Sequence, residues 1–66
     1  MTQAALRKLY FDMRDTQEKM EVLGERLKKL EGYDPTWALK GREMVGASYL
    51  LTMWMSSLDQ LIEDRK

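Results

Sequence analysis

Glu18, Glu21 and Glu25 are the closest this 66-residue chain comes to a cluster that could move protons. Their spacing brings them together on one face of a helix. A carboxylate becomes a useful acid or base when a dry cleft or a charged neighbour perturbs it, and these three fall on the solvent side of their helix. There is no His and no Cys. Their absence removes the commonest general base, thiol nucleophiles, disulfides and thiolate zinc sites together. A di-iron bundle would need inward Glu and Glu-x-x-His pairs, and the His is missing. The four glycines are scattered singly, so nothing resembles a phosphate-cradling loop. The expectation is a protein that is not an enzyme and carries no catalytic residues, metal or cofactor.

Binding is then the chemistry to look for. Lys and Arg total 11 and Asp and Glu total 11, interspersed. A chain built to neutralise phosphates is normally basic over one face, so this balance argues against nucleic acid. Arg7, Arg14 and Lys28 do share one heptad position, but Glu21 interrupts the row. The first residues, "MTQAALRKLYFD", have no apolar core or small-residue cleavage site, so no secretory signal is expected and a cytoplasmic location is.

Two helices must position whatever binds. From Leu6 the apolar-type positions run Leu6, Leu9, Met13, Thr16, Met20, Leu23, Leu27, Leu30, alternating steps of three and four. That is an unbroken a/d heptad with Thr16 its one polar member. Gly32 suits a left-handed residue just past the helix end, and Asp34-Pro35 reads as an N-cap followed by the first helical residue. The spacing predicts helix 1 over about 3–31, a turn at 32–34 and helix 2 over about 35–64, in a single domain, 1–66. So short a link forces an antiparallel hairpin.

Helix 2 is unusual in having no charge from Met44 to Leu58. The run is too short and too rich in Ser, Thr and Gly to span a bilayer, which needs about 20 apolar residues. Projected at about 100° per residue, it shows two apolar zones. A broad stripe with Trp37, Met44, Ala47, Leu51, Trp54, Met55, Leu58, Leu61 and Ile62 is expected to pack on helix 1. Roughly opposite lie Leu39, Gly46, Tyr49, Leu50 and Met53, with Arg42 among them. Two stripes imply two neighbours. A core this small rarely supplies more than about 3–5 kcal/mol alone, so a second subunit is the expected stabiliser. The fold class is therefore all-α, an antiparallel two-helix hairpin that dimerises into a four-helix assembly. Gly24 and Gly41 fall at about the same height of that hairpin, either to let the backbones approach or to make room for Trp37.

The candidate partner-binding residues follow from this layout. Tyr10 and Phe11 are adjacent aromatics on a charged face, with Phe11 at the most solvent-facing heptad position. Tyr33 and Trp37 flank the turn, where Trp37 either anchors a partner or staples the turn near Leu27 and Leu30. Arg42, Tyr49 and Met53 belong to the second stripe, and Met adapts to varied partners.

The segment "GYDPTWALKGREMVGASYLLTMW", residues 32–54, resembles a family of very small temperate-phage proteins, the anti-quorum-sensing or anti-activator proteins made early in infection. The resemblance covers the turn and about five turns of helix 2, with similar length and layout. It implies a homodimer of helical hairpins that binds a host quorum-sensing activator of the LuxR type and keeps it off its promoters. It also implies a second host target, such as a pilus-assembly ATPase. The rival readings are an RNA-binding hairpin dimer using Arg7, Arg14 and Lys28, and a purely structural oligomerisation module.

Overall fold

Thr2 opens the first helix. Its backbone is extended and its hydroxyl oxygen accepts the Ala5 N–H at 3.1 Å, supplying a partner that a helix start lacks. In the computed structural model, which describes residues 2–64, helix α1 spans Gln3–Lys28 and helix α2 spans Pro35–Asp64. A single 3-10 turn, Lys29–Gly32, links them. The two helices pack antiparallel as a hairpin, 51 × 14 × 12 Å in extent. Among the described residues, no helix is long and apolar enough to cross a membrane.

The corner forms differently from the expectation for Gly32. No described residue has positive φ, glycine included. Instead, α1 tightens as it ends. The Lys29 N–H is shared between the Arg26 and Leu27 carbonyls, and the Leu30 carbonyl accepts from both Tyr33 and Asp34, at 2.9 and 2.8 Å. Overwinding serves these end carbonyls without a left-handed residue. On the far side Asp34 does cap α2: its Oδ1 accepts the Thr36 N–H at 2.9 Å, with Pro35 at the first helical position.

Gly24 and Gly41 bring the helices into backbone contact. A Cβ added at Gly41 would lie 2.6 Å from the Gly24 carbonyl oxygen and 2.7 Å from the Lys28 nitrogen. One added at Gly24 would lie 2.6 Å from Val45 Cγ2 and 2.9 Å from the Gly41 oxygen. Close approach, and not space for Trp37, is what these glycines provide. At the other end the Gln3 Nε2 donates to the Ile62 carbonyl, in the last turn of α2, at 3.1 Å. Both contacts join positions whose numbers add to 65, which sets the register of the hairpin.

That register corrects the expected packing of α2. The residues buried on α2 are Ala38, Gly41, Val45, Ser48 and Ile62, spaced largely by three and four. This narrow row, small except for Ile62, lies against α1. The broad stripe expected there sits at its edge: Met44, Leu51, Met55 and Leu58 are half-buried, and Trp37, Trp54 and Leu61 are exposed. Helices drawn together by two glycines leave room only for small residues at the line of contact, so the large ones are pushed to the flank. Ser48 is fully buried, and its hydroxyl donates to the Val45 carbonyl at 2.6 Å. On α1 the row Leu6, Met13, Met20, Leu27 turns inward with Gly24, while Leu9 and Leu23 of the same heptad remain 40% and 45% exposed.

The glycines give opposite expectations. Gly41→Ala would press its methyl against fixed backbone and is expected to destabilise the protein by about 1–2 kcal/mol, overpacking outweighing the better helix propensity. Gly46 has nothing within 4 Å of its would-be Cβ. Gly46→Ala is therefore expected to stabilise the protein by up to about 1 kcal/mol. Urea denaturation of both variants checks the pair.

Candidate interaction surface

The hairpin has two long sides. The Arg42 guanidinium reaches Glu31 across the pair at 3.1 Å, and a shallow groove at the opposite end is lined by Arg7, Tyr10, Phe11, Asp59, Ile62 and Glu63. Together they mark one side: Tyr10 and Glu31 from α1, Arg42 and Asp59 from α2. Helical spacing puts Tyr49 and Met53 next to Arg42 on that side. The other side collects Leu9, Thr16, Leu23 and Leu30 from α1 with Trp37, Met44, Leu51 and Leu58 from α2, and Trp54 and Leu61 at its rim.

The candidate residues distribute over the first side, the turn and the rim. Tyr10 and Phe11 meet edge to face, with ring centres 5.7 Å apart, and the Arg14 guanidinium stands 5.0 Å from the centre of the Phe11 ring. An edge-to-face ring pair with a cation near one ring is a favourable arrangement of quadrupoles and charge. Arg42, Tyr49 and Met53 form a second patch, with Met53 65% exposed and Leu39 and Leu50 beside it. Tyr33, at the tip of the turn, is 91% exposed. Trp37 is exposed too, with Lys40 Nζ 4.1 Å from the centre of its ring. The seven do not converge on one pocket. They form two patches on the first side, with Tyr33 at the tip and Trp37 at the edge of the second.

Their electrostatics are those of a solvated surface. Lys8 pairs with Asp12, Lys28 with Glu25 and Arg42 with Glu31, each at 3.0–3.2 Å with both partners exposed to solvent. Arg14 lies 3.9 Å from Asp15. Arg14 and Lys28, two of the three cations in the basic row, thus have carboxylates beside them. Among the described residues no group of three or more carboxylates could hold a metal ion.

One surface lies outside the candidates. Leu9, Leu23, Trp54 and Leu61 are exposed on the second side, where the heptad of α1 and the broad stripe of α2 lie open together. Both rows are regular in the sequence, so the signal for this surface is there. Hydrophobicity alone assigns them to the seam inside the hairpin, because large apolar residues normally win that place.

The chain matches no known protein-family model, no curated protein and no solved structure.

The Arg42–Glu31 pair is accessible and screened, so Glu31→Gln is expected to change the unfolding free energy by less than about 0.5 kcal/mol. Thermal unfolding at low and moderate salt measures it. A larger loss would mean that this ion pair fixes the corner.

Proposed function

We propose that this chain is a non-catalytic, stoichiometric protein-binding inhibitor that acts as a homodimer of hairpins in a four-helix assembly. The specific target proposed is a bacterial quorum-sensing regulator of the LuxR type, held off its promoters, with a pilus ATPase as a second host target. The protein would then be phage-encoded and act in the host cytoplasm.

One observation carries the protein-binding reading: Leu39, Tyr49, Leu50 and Met53 are exposed together on one face of a long helix. Large apolar side chains left exposed along one face of a small hairpin favour a protein partner for that face. The Tyr10–Phe11 pair offers an aromatic anchor of the type that dominates interface energetics. Acidic neighbours around Arg14 and Lys28 favour this reading over phosphate binding. The narrower target rests on the resemblance of residues 32–54 to phage anti-activators.

The test combines a purified LuxR-type activator with its promoter duplex in a gel-shift assay. Adding the chain is expected to release the DNA at a stoichiometry near one dimer per regulator protomer. The double variant Tyr49→Asp, Met53→Asp should keep its helical circular dichroism and lose this effect by at least about tenfold. Release of DNA without binding to the regulator, or full activity of the double variant, would overturn the assignment.

A further inference from the structure

The second side of the hairpin leaves Leu9, Leu23, Trp54 and Leu61 exposed. We infer that it is covered by a second copy of this chain, related by a two-fold axis passing near Thr16 and Ala47, with the two turns at opposite ends. The inference deepens the homodimer proposed above and rests on it, but it requires no particular foreign target.

Size argues first for a missing neighbour. The accessible surface is 5009 Å² for a chain of 7.8 kDa, against roughly 4400 Å² for a compact monomer of that mass. The radius of gyration is 15.2 Å, where a compact domain of this length would have about 11 Å. Among the described residues, the buried hydrophobic ones are Leu6, Ala38, Val45 and Ile62. A side 51 Å long offers on the order of 700 Å² from its backbone outline alone, close to the ~800 Å² per partner of a stable interface.

The pattern of residues identifies the occupant. A two-fold interface requires a surface complementary to itself when reversed. Reading outward from Thr16 along the open row of α1, Leu9 and Leu23 stand seven residues to either side, 40% and 45% exposed. The row reads the same in both directions from Thr16, so two copies laid antiparallel match Leu with Leu. In the register fixed by Gly24 and Gly41, Ala47 of α2 lies within about one helical turn of Thr16. The smallest side chains of this face thus stand together at its middle, where two crossing hairpins come closest. Trp54, 55% exposed, then lies on the height of a partner segment running through Lys40 and Met44.

Thr16 is the residue that would oppose burial, and its geometry removes the objection. Its hydroxyl donates to the Asp12 carbonyl at 2.8 Å, so it enters an interface with its hydrogen bond already made. On the opposite side of the hairpin Arg42 pairs with Glu31, and on this side Lys40 stands 4.1 Å from the centre of the Trp37 ring, toward the turn. Tyr49 and Met53 face away from the proposed axis and stay available.

The experiment uses the full chain, which has no Cys of its own. Thr16→Cys, oxidised at low concentration and run on a denaturing gel, is expected to give a covalent dimer as the main product. Tyr49→Cys is expected to stay monomeric under the same oxidation. In parallel, light scattering should give twice the chain mass for the unmodified protein at ~100 µM, and Leu23→Glu should weaken association at least about tenfold. Circular dichroism at the same concentration reports whether Leu23→Glu still folds, and the cross-link needs no destabilising change. A monomeric protein overturns the inference, as does a dimer that cross-links in the Tyr49→Cys variant and not in the Thr16→Cys variant. A dimer that cross-links in neither variant also does, because its two-fold axis then does not pass near Thr16. The gel shift reads the functional assignment separately, so either can fail alone.

Discussion

Backbone contact between Gly24 and Gly41 is the constraint on which the rest of this hairpin depends. With carbonyl oxygens and amide nitrogens within van der Waals reach of the opposite helix, no side chain can intervene at that height. The seam is therefore narrow, and the residues that fit it are Ala38, Val45 and the internally bonded Ser48. Burying these small groups stabilises the pair modestly, since burial scales with apolar area. Larger residues are displaced to the flanks, where they remain half-wet. A close-packed centre and an open apolar flank are two results of one contact.

The sequence is most legible where a signal is local. Asp34-Pro35 marks the start of α2, and the heptad from Leu6 to Leu30 marks α1 as one unbroken helix. The antiparallel hairpin and the level pairing of Gly24 with Gly41 are legible too, because a short turn fixes the register. The rotation of each helix about its axis is not. Hydrophobicity ranks Leu51 and Trp54 above Gly41 and Ser48, so it points the wrong face inward. Which face is inside depends on a backbone distance, and backbone distance has no signature in composition. Gly32 misleads for a related reason: a glycine after a helix commonly signals a left-handed cap, but an overwound last turn serves the same carbonyls.

The candidate residues are legible as types more than as a site. Tyr10, Phe11, Tyr49 and Met53 are exposed or nearly so, as large side chains on the outer helical faces should be. Their grouping comes from three dimensions: the T-shaped contact of Tyr10 with Phe11, and the Arg42–Glu31 pair that marks a side of the hairpin. A helix bearing two apolar stripes has a distinct physical meaning here. It lays two apolar surfaces on one element, facing nearly opposite ways, so that covering one leaves the other sterically free. Small helical proteins gain versatility in this way without added length.

The hydrogen bond from Gln3 to the Ile62 carbonyl joins residues 59 positions apart. Helix ends ordinarily fray one at a time, each opening by itself. Here the first turn of α1 and the last turn of α2 share a bond and a buried Leu6–Ile62 neighbourhood, so neither loosens without uncovering the other. The openings that expose the Leu6 and Ile62 amides would then share one free energy, and the open end of the hairpin would melt as a single cooperative unit.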